Sequence, residues 1–435
     1  SATSGSNASE IWSTAGFSSI GTSADSFGGS LDGLSHTISG LSIDRIMSDN
    51  IGLFGVTSHG SVIRNLGLAD VNIKGSNSVG GLVGTSDSTI SNIYVTGSIT
   101  GMGERTGGLV GLNQGSISNV YTSVLVTGAG MVGGLAGYNN HGSISNTYAS
   151  GIVSSAGAVG GVVGGGSTGS VLNSFYATTD ASGASINAGL ASNSDGGIGK
   201  TWQELTQAST FAGWNIASNG GSNATWRIYE GFAGPVLRSF LQRVSLITAG
   251  GSSTKTYNGS TAAGAASYTS NLGSDLNAGK LLGSLGYVTS SKNVGTYSTG
   301  NGSLTVSGLY SGQQGYDIGY RNLAASVTVN KAMIGTITGL SVADRAYNGT
   351  TTATLDSSNA VFSGMVAGDS LSIGSANASF TNKNVGTAKT VNITGITVSG
   401  ADAGNYNVGT TALVLANITK AIILSLIHIS EPTRQ

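Results

Sequence analysis

Gly80-Gly81-Leu82-Val83-Gly84, followed by Ile90-Ser91-Asn92-Ile93-Tyr94, is the stretch on which the fold turns. Both phrases come back. Ile90 belongs to the series Ile63, Ile90, Ile117, Ile144 and Val171, each 27 residues after the last. Asn65, Asn92, Asn119, Asn146 and Asn173 keep the same step, as do Tyr94, Tyr121, Tyr148 and Phe175, with Gly67 breaking the aromatic series at its start. The glycine phrase returns as Gly107-Gly108-Leu109-Val110-Gly111, Gly133-Gly134-Leu135-Ala136-Gly137 and Gly160-Gly161-Val162-Val163-Gly164. A fixed period of this size marks a stacked repeat architecture. Each unit holds three short apolar runs, Gly-Leu-Val-Gly, Ser-Ile-Ser-Asn-x-Tyr and Val-Thr-Gly, with glycine at the corners. That is the economy of one coil of a parallel β-helix, in which coils about 4.8 Å apart pair each strand with its equivalents above and below. Leucine and isoleucine are expected to fill the interior. The asparagines should stack as an amide ladder and the tyrosines as an aromatic one.

Outward from this block, residues 1–50 read as a leading segment holding one degenerate repeat, with His36 to Ile43 matching Ser61 to Leu68. Residues 51–180 carry the regular β-solenoid. In residues 181–240 the ladder ends: Ile198 keeps the apolar position, but Lys200 replaces the asparagine and Trp202 the tyrosine. Thr201-Trp202-Gln203-Glu204 is a capping box and predicts a short helix. With Trp202, Trp214 and Trp226, the segment is expected to cap the apolar end of the last coil.

Residues 241–421 hold a second, longer repeat. Tyr257-Asn258-Gly259 returns as Tyr347-Asn348-Gly349, Lys292-Asn293-Val294-Gly295 as Lys383-Asn384-Val385-Gly386, and Lys331-Ala332 as Lys420-Ala421. These spacings describe two copies of one small β domain, at 241–332 and 333–421. Asn-Gly is a strong hairpin-turn signal and predicts a hairpin at each copy. The fold class expected is therefore all-β: a parallel β-helix (β-solenoid) with a capping segment, then two small tandem β-sandwich-like domains. Residues 422–435 break the composition. From about Leu424 they resemble a translated sequencing adapter, which predicts a piece of a longer gene.

Composition excludes several functions. Charged residues make up 9% and the net charge is −1, so neither nucleic acid nor an anionic membrane has an electrostatic footprint here. There is no cysteine, hence no disulfide or thiolate metal site, and no apolar run of transmembrane length. Glycine (72) and scarce proline (2) suit a β-rich chain with tight corners.

The Gly-Gly-Leu-Val-Gly and Ile-Ser-Asn-x-Tyr units resemble the GLUG repeats of bacterial surface proteins, and the Tyr-Asn-Gly domains resemble YDG-type repeats. That order is similar to the filamentous haemagglutinin-like adhesins. The resemblance covers nearly all of residues 20–421. Where YDG repeats carry aspartate, this chain has Asn258 and Asn348. The resemblance implies a secreted or cell-surface adhesin exported by a partner transporter of the outer membrane and binding glycans or proteins of a host or matrix.

The residues themselves offer little chemistry. Apart from the tyrosines, ionisable side chains in the solenoid are scattered, and no acidic one recurs at the repeat period. Glu104 and Arg105 read as a solvated corner. His36, His59 and His141 share no ligand spacing. Asp317 and Asp402 read as solvated turns, the nearest approach to a calcium site. No catalytic, cofactor or metal residue is therefore expected, and the chain reads as non-catalytic. Exposed aromatic rows can bind sugars, so Tyr94, Tyr121 and Tyr148 are the candidate ligand residues, although a ladder in stacked sheets more often packs inward. Two other readings stand: the non-catalytic repeat region of a large surface enzyme (a protease or glycan-acting β-helix protein), and a pure structural spacer.

Overall fold

A computed structural model describes residues 12–13, 15–187, 190 and 197–422. Most of the tail at 422–435 and residues 1–11 of the leading segment lie outside the described residues. The chain forms two compact units, one of residues 1–246, 270–283 and 308–320, the other of the remainder.

The first unit contains a parallel β-solenoid of about six turns. Three parallel sheets run along it. The period read from the sequence is the coil: Ile63, Ile90, Ile117 and Ile144 sit directly above one another, as do Tyr94, Tyr121, Tyr148 and Phe175. The runs divide differently from expectation. Gly-Gly-Leu-Val-Gly straddles a corner between two short strands, such as Val79–Gly80 and Val83–Ser86. The Ser-Ile-Ser-Asn-x-Tyr and Val-Thr-Gly runs merge into single long strands, Thr89–Gly101 and Ser116–Gly128.

What interrupts the alternation within those strands is the recurrent asparagine. Asn65, Asn92, Asn119, Asn146 and Asn173 all have positive φ, between 48° and 55°. Asparagine tolerates this left-handed conformation better than other side chains with a Cβ. The kink resets the inward face, so that Ile90 and Ile93 both enter the core while Tyr94 turns away from it. The amide ladder expected at these positions is only partly formed. Asn65 donates to Asp32 and Asn92 to Asn65, both at 3.0 Å, whereas Oδ1 of Asn92 and of Asn146 are buried without a partner. Backbone conformation is thus the stronger reason for the recurrence. Asn146, whose Oδ1 has no partner to lose, is the test: Asn146→Gly should be nearly neutral and Asn146→Val should cost about 1–2 kcal/mol; equal melting shifts for the two variants would refute this account. A buried amide pair does occur elsewhere, where Asn113 donates to Asn139 at 2.8 Å.

The interior is a column of Leu82, Leu109, Leu135 and Val162 facing the isoleucines, nearly all without exposed surface. Each such side chain contributes about 1.5–3 kcal/mol on burial. Gly107 has to be glycine, because a Cβ there would sit on the Val110 carbonyl oxygen. At Gly67 a Cβ would run into the Tyr94 ring, which explains the break in the aromatic series.

Two readings of the flanks are corrected. A leading coil exists, but its register differs: Leu31 lies beside Ile63 and Ile38 beside Leu68, because two residues with positive φ, Leu34 and Ser35, loop out between them. Ile198 stacks on Phe175 rather than on Val171, and is half exposed. The predicted helix is present as Trp202–Leu205, with its capping box formed between Thr201 and Glu204. Downstream of it, Phe211, Trp214 and Trp226 cover the flank of the solenoid along the tyrosine row.

The second unit is built on the longer repeat. In the second copy a five-stranded sheet runs in the order Arg345–Ala346, Thr411–Thr419, Gly386–Ser399, Ser372–Phe380 and Thr352–Ala353. Phe380, Val391, Ile393 and Ile418 of this sheet cluster with Val342, from one of two short strand pairs, and with Leu340, from the link between those pairs. The Asn-Gly sites are not hairpins. Arg345–Ala346 and Thr352–Ala353, on either side of Asn348-Gly349, lie at opposite edges of that sheet. In the first copy Gly251–Thr256 pairs with Ala325–Asn330, while Ala262–Ala265 pairs with a different strand. Only the glycines take positive φ, 74° at Gly259 and 79° at Gly349, so the type I′ geometry is absent. The asparagine closes the crossover instead: Asn258 Oδ1 accepts from the Ser260 amide and Asn348 Oδ1 from the Thr350 amide. Aspartate could accept the same bond, which makes the departure from the YDG pattern a mild one.

Candidate functional site

Tyr94, Tyr121 and Tyr148 are brought together as expected, as a stacked column. The Tyr94 and Tyr121 centroids are 5.6 Å apart and 11° from parallel, and those of Tyr121 and Tyr148 are 5.2 Å apart and 9° from parallel. One ring per coil, on strands in register, produces this spacing. The column is not an open row. The three side chains retain 2%, 6% and 3% of their surface. Phe240 closes on Tyr94 edge-on, Trp226 lies across Tyr121 and Tyr148, and Phe211 meets Tyr148 and Phe175. Trp214 completes the cover, 4.8 Å from Trp226 between centroids.

The polar tips are held as well. The Tyr94 hydroxyl bonds to Thr37 Oγ1 and accepts from Gln314 Nε2, each at 2.8 Å, and Tyr148 donates to the Pro235 carbonyl at 2.7 Å. Burial pushes the phenols of Tyr121 and Tyr148 far above their ordinary range; at Tyr121 the neighbouring tyrosines add to this. A sugar could reach these rings only if the cap were lifted.

The sign of these shifts makes a prediction. A phenol whose folded pKa is raised contributes stability in full below its unfolded value near 10, and that stability falls as pH rises beyond it. In an alkaline titration followed by phenolate absorbance, Tyr121 and Tyr148 should stay silent until the solenoid unfolds. All 15 tyrosines titrating reversibly as one set would contradict the buried column.

The other residues singled out from the sequence do not assemble into a site. His59 is exposed beside Asp87 at 3.5 Å, His141 lies in an exposed turn against Thr168, and His36 is exposed on the leading strand. Glu104 pairs with Arg105, whose guanidinium sits over the Tyr138 ring. Among the described residues no three of His, Asp or Glu converge as metal ligands, and no helix is long and apolar enough to cross a membrane.

Asp317 and Asp402 differ from expectation. Asp317 is fully buried and faces Arg227 Nε at 3.3 Å, with the Gly221 amide donating to its other oxygen. Asp402 is largely covered, paired with Lys292 at 3.5 Å and bonded by the Ser370 amide. Neither is a solvated turn, and both have their charge answered by a cation.

Two features were not anticipated. A cleft of about 540 Å3 opens in the first copy of the longer repeat, lined among others by Ser252, Ser253, Thr254, Lys255, Asn258 and Tyr287. Its walls are serine, threonine and alanine side chains and glycine backbone, with Lys255, Asn258 and Tyr287 as the larger polar groups. The second is a buried carboxylate, Asp369, with a side chain 1% exposed. Tyr257 and Tyr406 donate to it, each at 2.7 Å, and Lys292 Nζ lies 2.9 Å away. Burial pushes this carboxyl up, but the three donors outweigh it and hold it below the usual carboxylate range. Tyr257 comes from the first copy of the repeat and Asp369 from the second, so periodicity within one copy gave no sign of it.

Comparison with known proteins places one family domain in the second unit. Residues 331–413 match the family model of the YDG domain. A stretch of 89 residues, 20% of the chain, is 45% identical to halomucin of Haloquadratum walsbyi. It spans about 1% of that protein, so the chain covers a very small part of its relative's length. No solved structure matches the chain. A repeat-containing protein with a β-solenoid and a YDG domain is the description these findings support.

Proposed function

We propose that this chain is the non-catalytic display region of a secreted or cell-surface adhesin, similar in plan to the filamentous haemagglutinin-like proteins, with GLUG-type solenoid coils followed by YDG-type repeats. One observation carries the reading: a parallel solenoid and a YDG domain stand in one chain, in the order such proteins have. A stacked solenoid repeats the same outward side chains at every coil, so a ligand with repeated groups would meet many weak contacts whose avidity exceeds any one of them. The few charges make hydrogen bonding and apolar contact the means of attachment. Export through a partner transporter of the outer membrane, and glycans or proteins of a host or matrix as ligands, complete the proposal.

The test is a glycan-array and matrix-protein screen of the whole chain, repeated with Tyr287→Ala in the hydroxyl-lined cleft. Binding that survives raised salt supports adhesion, and its loss in the variant would assign it to the cleft. Failure to bind any glycan or matrix protein would leave an architectural spacer as the better reading, which the buried contact between successive repeats also favours.

A further inference from the structure

The contact around Asp369 joins two copies of the same repeat, so each copy has a face of each kind. The first copy contributes Tyr257, Lys292, Asn293 and Val294. Its exit strand, Ala332–Ile334, pairs in parallel with Tyr406–Val408. The second copy answers with Asp369, Asn405 and Tyr406. Asn405 donates to Asn293 Oδ1 at 3.1 Å and accepts from the Val294 amide at 3.0 Å.

The second copy carries the first kind of face as well, by the same sequence. Tyr257 corresponds to Tyr347, Lys292 to Lys383, Asn293 to Asn384, Val294 to Val385, and Ala332-Met333 to Ala421-Ile422. There the groups are uncovered. Tyr257 is 3% exposed and Tyr347 37%; Val385 is 46% exposed and Ile422 88%. Lys383 and Asn384 are exposed too.

We propose that Tyr347, Lys383, Asn384, Val385 and the exposed Ala421-Ile422 form a socket for a further repeat of the second kind, one that carries a Gly-Asp pair and an Asn-Tyr pair. The chemistry of the occupied contact defines the occupant: a carboxylate to take the Tyr347 hydroxyl and the Lys383 ammonium, and an asparagine amide to bridge Asn384 and the Val385 backbone.

The first copy would not fit. Its Asn277 amide donates to the Tyr316 hydroxyl as the Val366 amide donates to that of Tyr406, so Asn277 to Lys280 correspond to Val366 to Asp369. Lysine therefore stands where the socket needs a carboxylate, and Gly315 precedes Tyr316 where Asn405 precedes Tyr406. Gln313 of that face is instead bonded to both the amide and the carbonyl of Leu237. The first copy is adapted to the capped solenoid and the second to another repeat, which orders the array and keeps separate chains from joining head to tail.

Tyrosine iodination mapped by mass spectrometry tests this on the whole chain. In the parent, Tyr347 should react and Tyr257 should not. When residues 332–420 are appended again after Lys420, the reactivity of Tyr347 should fall about tenfold or more, toward that of Tyr257. The same extension with lysine in place of the appended copy's Asp369 should leave Tyr347 reactive. Undiminished reactivity beside a copy whose own Tyr406 is protected, or equal protection by both extensions, overturns the proposal. If the appended copy does not fold, Asp369→Asn in the parent decides: Tyr257 must then become reactive, and an unchanged Tyr257 overturns the carboxylate's role.

Discussion

Trp226→Ala should cost the first unit about 3–5 kcal/mol, the usual range for truncating a fully buried large aromatic side chain. Trp226 has no exposed surface and stands at the centre of the cover, against Trp214, Tyr121 and Tyr148. Its Nε1 also points at Asn119 Oδ1, at 3.4 Å. Removing it opens a void between the cap and the tyrosine column that neither can fill, since the column is pinned to strands in register. Trp226→Phe should retain most of the stability. All four tryptophans, at 12, 202, 214 and 226, belong to this unit, so tryptophan fluorescence follows its unfolding separately from the second unit. A second effect should accompany the first. With the cover loosened, Tyr121 and Tyr148 should ionise nearer pH 10 than in the parent. A loss below about 1 kcal/mol, with the tyrosines still silent, would mean that the cap is only draped over the column.

How much of this was legible depends on where each partner lies along the chain. The solenoid was readable because coil stacking places a residue beside its own equivalent one period away; Ile90 on Ile63 is a sequence fact as much as a structural one. The role of Asn92 was half legible: its recurrence was plain, but the residue serves a left-handed backbone that side-chain ladders alone would not require. Ile198 misled because periodicity was extended past the last regular coil, where the chain returns early and pairs with Phe175. The Asn-Gly sites misled because a hairpin signal is local, whereas the partners of the flanking strands are distant. The aromatic column was legible as a column. Its cover was not, since Trp226 meets Tyr121 across more than a hundred residues of chain, at a distance no period announces. Asp369 shows the same limit, because its partners Tyr257 and Lys292 lie in the preceding copy.

The largest loss from a single charge is expected at Asp317 and Arg227. Asp317 occupies the place of Asn407 in the second copy, where the side chain is exposed, so comparing the two repeats suggests an unimportant polar position. In the first unit it is sealed: the Arg227 and Asp317 side chains are 4% and 0% exposed. The guanidinium lies over the Tyr229 ring, 4.0 Å from its centroid, and donates to the Ser218 and Ile228 carbonyls. A buried pair of this kind contributes little over an apolar substitute, because desolvating two ions offsets most of their attraction. Breaking it is different, since the surviving charge stays buried without a counterion. Arg227→Met and Asp317→Leu should each cost about 3–5 kcal/mol, and the double variant should recover most of that loss. A double-mutant cycle on the tryptophan-reported transition measures the coupling directly. Additive single losses would show that Tyr229 and the backbone carbonyls hold the guanidinium without the carboxylate. Strong coupling would show that the first copy exchanged the solvated asparagine of its neighbour for an ion pair that only this packing can bury.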